Sequence, residues 1–186
     1  MKRNLRHGVV ELVLGNIVDQ DTDAIVNAAN TKLAGGGGVD GAIHRAAGPT
    51  LKELCLQFPA DDHGRRCRTG NVKTTPAGNL SAKVVIHAVG PFYNERYADR
   101  AHTQLRQVHE LALKAAIEHE CRSVAFPAIS TGAYRFPIAD AAQIAIDAVC
   151  TFLDKTKGIS LVRFVLYKPS QFDVFAKSLD DWKPKH

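Results

Sequence analysis

Asp40 and His44 stand four residues apart, so on a helix their side chains share a face and can touch. Just upstream lie two asparagines, Asn27 and Asn30, and four consecutive glycines, Gly35, Gly36, Gly37 and Gly38, followed by Val39. An Asp–His pair beside a glycine-rich turn has two readings. In one, Asp40 only complements the positive end of a helix, as first-turn carboxylates commonly do. In the other, it orients or deprotonates a water next to a bound anion. Glycine lets a ligand approach the main chain, and a helix start offers free N–H groups that favour phosphate. The glycines alone leave a flexible turn and a phosphate loop equally open. The segment is neither a P-loop nor a dinucleotide fingerprint, because no Gly-Lys-Ser/Thr is present and the glycine spacing does not match GxGxxG.

A second chemical stretch is Phe126-Pro127-Ala128-Ile129-Ser130-Thr131-Gly132-Ala133-Tyr134. Ser130 and Thr131 supply hydroxyls, and the backbone around Gly132 and Ala133 can supply N–H donors to an anion. Taken alone, a capped loop is an equally sufficient account. Two such loops in one domain suggest a diphosphate held between them.

The elements that position these loops alternate in type. Val9–Leu14, Ala24–Asn27, Val84–Val89, Val124–Phe126 and Val162–Leu166 read as strands, several being short apolar runs suited to burial on both faces. Helical patterns cover Val39–Ala47, Thr50–Gln57, about Thr103–His119, Ile138–Leu153 and about Phe172–Leu179. Alternation of this kind implies an α/β fold with a largely parallel sheet and helices on both sides. In such sheets ligands bind beyond the carboxyl ends of the strands, so the unusual loops are expected on one rim.

The 186 residues fit one domain, with 45% hydrophobic residues and a core expected over about 9–179. No apolar run approaches the ~20 residues needed to span a membrane. The basic start, Met1 to Arg6, leads into no apolar signal segment, so a cytoplasmic location and no membrane partner are expected. Cys55, Cys67, Cys121 and Cys150 form neither CxxC nor a Cys-His cluster in sequence, and read as reduced, mostly buried thiols. The net charge of +5 suits an anionic ligand and equally nucleic acid. The densest basic stretch, Arg65-Arg66-Cys67-Arg68, has no interleaved aromatics and reads as a solvated loop.

Four segments in order resemble one family. They are Ile25–Gly48, Cys67-Arg68-Thr69-Gly70, Val85–Pro91 and Ala125–Tyr134. The chain resembles the macrodomains, and within them the MacroD-type group that includes bacterial O-acetyl-ADP-ribose deacetylases. The resemblance implies a three-layer α/β/α macrodomain with a central mixed, mostly parallel sheet, requiring neither metal nor cofactor. It implies that Gly35 to Gly38 and Val39 line the distal ribose and phosphates of ADP-ribose, and that Asn30 and Asp40 are catalytic on that ribose. Asn27 and His44 join the ligand-binding set. Ser130, Thr131, Gly132, Ala133 and Tyr134 would wrap the diphosphate. Ile17 would border the adenine, with Tyr167 against its face.

The chain departs from that pattern in places. Gly15-Asn16-Ile17-Val18 replaces Gly-Asp-Ile-Thr, so Asn16 would offer the adenine amine a neutral acceptor rather than a charged one. Arg135-Phe136 replaces Gly-Tyr, and Lys168-Pro169-Ser170 follows Tyr167 where relatives often carry acids. The expected function is hydrolysis of O-acetyl-ADP-ribose or of mono-ADP-ribose esters on acidic side chains of proteins. The alternatives are a non-catalytic ADP-ribose reader and an RNA-associated regulator, nucleic acid being motivated by charge alone. Asp40 is expected to be exposed, and an exposed carboxylate is a weak base at neutral pH.

Overall fold

The computed structural model describes residues 1–184. Seven strands form one sheet: β1 (Lys2–Asn4), β2 (Val9–Leu14), β3 (Ala24–Ala28), β4 (Val72–Pro76), β5 (Val84–Ala88), β6 (Ser123–Phe126) and β7 (Leu161–Leu166). Their order across the sheet is β1-β2-β7-β6-β3-β5-β4. The five inner strands run parallel, while β1 and β4 are antiparallel edges on β2 and β5.

The period-two alternation of side chains divides two helical layers. Val10, Leu12, Val26, Ile86, Val124, Phe126, Val162 and Phe164 face one side. There they pack against α3 (Ala98–Glu118), α4 (Ile138–Lys155) and α5 (Pro169–Asp181). Ile25, Val85, Ala125 and Val165 face the other, under α1 (Gly38–Ala47) and α2 (Pro49–Leu56), whose Ile43 and Leu51 are fully buried. The inner strands are therefore mostly apolar on both faces, which makes them visible as runs, and the charged Glu11 and Arg163 are paired with each other. Ring contacts of Phe126 with Phe164 at 5.7 Å and of Phe164 with Phe175 at 5.3 Å tie β6, β7 and α5 together. Each such ring contributes about 1.5–3 kcal/mol on burial.

Some boundaries differ from the sequence reading, for local reasons. β4, Val-Lys-Thr-Thr-Pro, is half-exposed and polar, so its pattern carries no apolar signal. β1, Lys-Arg-Asn, is a three-residue edge strand on β2, with Arg3 donating to Leu179 O of α5 at 2.6 Å. α3 begins at Ala98 rather than near Thr103, and α5 at Pro169 rather than near Phe172. Proline is well placed in a first turn, where its missing N–H is not needed. Packing also runs past both ends of 9–179: β1 precedes it, and Trp182 is buried with its indole N–H donated to Asp147 at 3.0 Å. All four cysteines are buried and unbridged. No helix of the described residues is long and apolar enough to cross a membrane.

The five parallel strands point their carboxyl ends to one rim. There β2 leads into Gly15-Asn16, β3 into Asn30 and the glycines, β5 into Gly90, β6 into Pro127–Phe136 and β7 into Tyr167-Lys168.

Candidate active site

These loops enclose a cleft of about 860 Å³, within the usual range for small-molecule sites of roughly 300–1,000 Å³. Of the residues singled out from sequence, Asn16, Ile17, Asn30, Gly36, Gly37, Gly38, Val39, Asp40, Ser130, Thr131, Gly132, Ala133, Tyr134 and Tyr167 line it. Strand order sets their arrangement: Asn16, Ile17 and Tyr167 at the β2/β7 end, the Ser130 loop beyond β6, and Asn30 and Asp40 beyond β3.

Gly35, Asn27 and His44, read from the sequence as ligand contacts, are not among the residues that line the cleft and sit directly behind those that do. Gly35 takes a positive φ of 80° and turns its carbonyl inward to accept from Asn30 Nδ2 at 2.9 Å. Asn30 Oδ1 in turn accepts from the Ala34 N–H at 3.5 Å, so its amide braces the glycine turn. Asn27 is fully buried beneath Asp40 and donates Nδ2 to Asp40 Oδ1 at 2.7 Å. His44 places Nε2 3.3 Å from the same oxygen, close enough for charge interaction but without hydrogen-bond geometry.

Asp40 is itself 6% exposed, against the expectation of an exposed carboxylate. Burial raises its pKa above the ordinary value of 3.8, opposed by the Asn27 hydrogen bond and by His44. A carboxylate so raised is a stronger base than a free aspartate while staying ionisable. It also occupies the first turn of α1, next to unpaired helix-start N–H groups that favour anions.

Beneath Asp40 a polar chain continues to His87, which sequence reasoning placed only within a strand. Asn27 Nδ2 lies 3.2 Å from His87 Nδ1, and His87 Nε2 lies 2.9 Å from Thr75 Oγ1. Burial pushes His87 down to about 3, so the ring is neutral. A neutral ring that accepts from Asn27 at Nδ1 must carry its proton on Nε2, facing Thr75. This arrangement pins the Asn27 amide with its NH₂ toward Asp40. Cys55 Sγ also approaches His87 Nε2, at 3.5 Å, and His44, Cys55 and His87 bring ligand-type atoms within 4.8 Å of one another. Both His87 nitrogens are already engaged, and burial pushes the Cys55 thiol up to about 11.

Ser130 sits at a positive φ of 66°, costly for a residue with a side chain. Its Oγ is buried without a hydrogen-bond partner among the described residues. Thr131 instead donates its hydroxyl to Ala128 O at 2.8 Å. The loop is closed by Phe136 N–H to Ser130 O at 2.9 Å and Arg135 N–H to Gly132 O at 3.0 Å. Tyr134 is raised in pKa by burial and then by the charge of Asp40, which places its phenol in the field of that carboxylate.

Several lining residues were missed. Arg45 lies one residue beyond His44, within the segment that carries the resemblance. Gly90 follows β5, and an added Cβ there would stand 2.2 Å from Ser130 Oγ. Lys168 and Gln171 reach the cleft because α5 starts three residues earlier than its apolar pattern suggests; Lys168 N–H donates to Gln171 Oε1 at 3.4 Å. The Pro after Lys168 was the available signal.

Residues 26–145 match the family model described as Macro domain. A Macro domain-containing protein of Caldanaerobacter subterraneus is 45% identical over 172 residues, 92% of this chain and 96% of that protein. A Salmonella newport protein named O-acetyl-ADP-ribose deacetylase is 44% identical over 170 residues, covering 91% of this chain and 93% of the relative. Among solved structures, the Oceanobacillus iheyensis macrodomain with ADP superposes with a TM-score of 0.91 at 38% identity, over 97% of this chain and 94% of that one. A Trypanosoma brucei macrodomain in complex with ADP gives 0.81 at 35% identity, over 94% and 69% respectively.

Proposed function

This chain belongs to the Macro domain family, and from its site we propose that it binds ADP-ribose and hydrolyses esters on the distal ribose. The proposed substrates are O-acetyl-ADP-ribose and mono-ADP-ribose linked to acidic side chains. The observation that carries the reading is the buried Asp40 carboxylate at the cleft wall, raised in pKa and held from beneath by Asn27. A reader module has no need to bury a carboxylate there against its desolvation cost. The deacetylase name on a relative 44% identical over 91% of this chain supports the same chemistry.

In this reading the adenine lies by Ile17 and Tyr167, a residue 72% exposed at the cleft mouth, where its ring can stack on the base. The diphosphate lies between the start of α1 and the Ser130 loop. There the helix dipole, the backbone N–H groups and the unpartnered Ser130 Oγ can receive it. The distal ribose meets Asn30 and Asp40. Asp40 takes a proton from water as the oxygen attacks the acyl carbon. The acyl C–O bond to the ribose then breaks, and the proton returns to the ribose oxygen, releasing a carboxylic acid and free ADP-ribose. General-base help supplies typically ~10²–10⁴-fold, with orientation by the phosphate cradle providing the rest.

Calorimetry with free ADP-ribose in the presence of a chelator tests the binding step. One site per chain is expected, with the same affinity with and without chelator. No heat up to millimolar ligand would sink the reading.

The adenine end yields a second expectation. Asn16 Oδ1 accepts from the Val18 N–H at 3.3 Å, capping the short turn Ile17–Asp19. Asn16→Asp keeps that cap and gives the adenine amine a charged acceptor. Charge-assisted bonds are roughly twice as strong as neutral ones, so ADP-ribose binding should tighten by about 1 kcal/mol. An unchanged or weaker affinity in that variant would remove Asn16 from the adenine contact.

A further inference from the structure

A second cleft, of about 610 Å³, lies at the β4 edge and is lined by Arg65, Arg66, Arg68 and Lys73 together with Asp61. Arg65 is paired with Asp61 at 2.7 Å. Arg66, Arg68 and Lys73 have no carboxylate partner among the described residues. Arg66 donates to Lys32 O at 3.2 Å and leaves its Nε buried without a partner. Lys73 places Nζ 5.4 Å from the Phe58 ring centroid. The basic stretch that reads in sequence as a solvated loop is thus one wall of a concave, unneutralised surface.

Its position relative to the first cleft is fixed by main-chain bonds. The N–H groups of Arg66 and Cys67 donate to Thr31 O at 2.8 and 3.0 Å, one residue after Asn30. Gly70 N–H donates to Val89 O at 2.7 Å, one residue before Gly90. Asn30 and Gly90 both line the first cleft. Val72 pairs with Ala88, so the start of antiparallel β4 lies at the same rim as the end of β5. Across the sheet the order is therefore the Asn16/Tyr167 end at β2 and β7, Asp40 and Asn30 beside β3, and the basic cleft at β4. If ADP-ribose lies in the first cleft as proposed above, whatever is attached to its distal ribose leaves on the β3 side, toward these cations.

We infer that the basic cleft is a binding site for the acidic polypeptide segment around an ADP-ribosylated carboxylate side chain, an inference that rests on the function proposed above. Guanidinium forks match carboxylate geometry. Single-stranded nucleic acids hold to proteins by stacking bases on aromatic side chains as well as by charge, and no aromatic residue lines this cleft. The observations therefore favour an acidic peptide over a nucleic-acid end.

The test compares four substrates: O-acetyl-ADP-ribose, a peptide ADP-ribosylated on one glutamate and flanked by Asp and Glu, the same peptide flanked by Asn and Gln, and an ADP-ribosylated oligonucleotide. Wild type and the double variant Arg68→Ala, Lys73→Ala are assayed for turnover and, by fluorescence anisotropy, for binding. Wild type should prefer the acidic over the neutral peptide by roughly fivefold, the scale of a few partly screened ion pairs. The preference should appear in KM and binding, and should vanish at about 0.5 M salt and in the double variant. O-acetyl-ADP-ribose turnover and thermal stability should be the same in both proteins. Equal handling of the two peptides by wild type overturns the inference while leaving the proposed function intact. So does a loss in the variant confined to the oligonucleotide or extending equally to O-acetyl-ADP-ribose. Failure to bind ADP-ribose in any form overturns both.

Discussion

Asp40→Asn lowers ester turnover by at least ~10²-fold and leaves ADP-ribose binding nearly unchanged. The side chain keeps its shape, and its amide oxygen still accepts the Asn27 Nδ2 hydrogen bond that the carboxylate receives at 2.7 Å. What is lost is the basic oxygen. The same variant should melt at a higher temperature than wild type at neutral pH. Burial raises the Asp40 pKa above 3.8, so the folded state binds this proton more tightly than the unfolded chain does. The contribution of Asp40 to stability is then full below the unfolded value and declines as pH rises through the folded one. At neutral pH wild type carries a buried charge that asparagine does not. The catalytic consequence has the opposite dependence: wild-type turnover falls as the pH is lowered through the raised pKa, an acid limb lying above the ordinary aspartate value. Steady-state kinetics across pH, calorimetric titration and scanning calorimetry on both proteins provide the check. Unimpaired turnover in the variant, or binding lost in proportion to turnover, would remove Asp40 from the base role.

Gly41→Ala should cost both stability and affinity, against the sign that helix propensity assigns. Inside a helix, Gly to Ala ordinarily stabilises by about 1 kcal/mol. Gly41 is buried in the first turns of α1, and an added Cβ would stand 2.5 Å from the carbonyl oxygen of Gly36 and 3.1 Å from Arg45 Nη1. The arginine end can swing away, but the carbonyl belongs to the glycine turn and is fixed by the main chain. Overpacking of this kind costs typically about 1–3 kcal/mol, which exceeds the propensity gain. The strain is relieved by displacing Gly36, which abuts Asp40 and borders the helix start where the diphosphate is proposed to lie. ADP-ribose affinity should therefore fall about tenfold or more, each ~1.4 kcal/mol being one decade. Gly37 is the internal control, because an added Cβ there meets nothing within 4 Å. Gly37→Ala should leave the melting temperature near wild type. A Gly41→Ala protein more stable than wild type, with full affinity, would show that α1 does not pack on the glycine turn as described.

What sequence could and could not reveal divides along physical lines. β2, β3, β5, β6 and β7 were legible because they lie inside the sheet and are mostly apolar, with Glu11 of β2 and Arg163 of β7 paired to each other at 2.7 Å. β1 and β4 were not, because an edge strand half in solvent tolerates Lys, Arg, Thr and a terminal Pro. The rim was legible because loops that serve a ligand carry glycines and hydroxyl residues that a plain turn does not require together. Which of those residues face the cleft depended on packing. Asn27 ends an inward-facing run of β3 and so points under α1 rather than into the opening. His44 is one turn inside α1, where it faces Asp40 from the side. The burial of Asp40 follows from α1 lying against β3, a long-range contact that leaves no mark on local sequence.

The most direct measurement is the initial rate of wild-type hydrolysis on three substrates side by side: O-acetyl-ADP-ribose, a glutamate-linked ADP-ribosyl peptide and an arginine-linked one. One buried carboxylate and a placed water suffice for an ester, whose ribose oxygen leaves by taking back the proton that Asp40 removed from the water. The N-glycosidic bond to arginine demands stronger activation of its leaving group than Asp40 alone provides. The account predicts turnover of both esters and little or none of the arginine linkage. Tight ADP-ribose binding with no turnover of any substrate, or arginine-linked cleavage as fast as the esters, would contradict it.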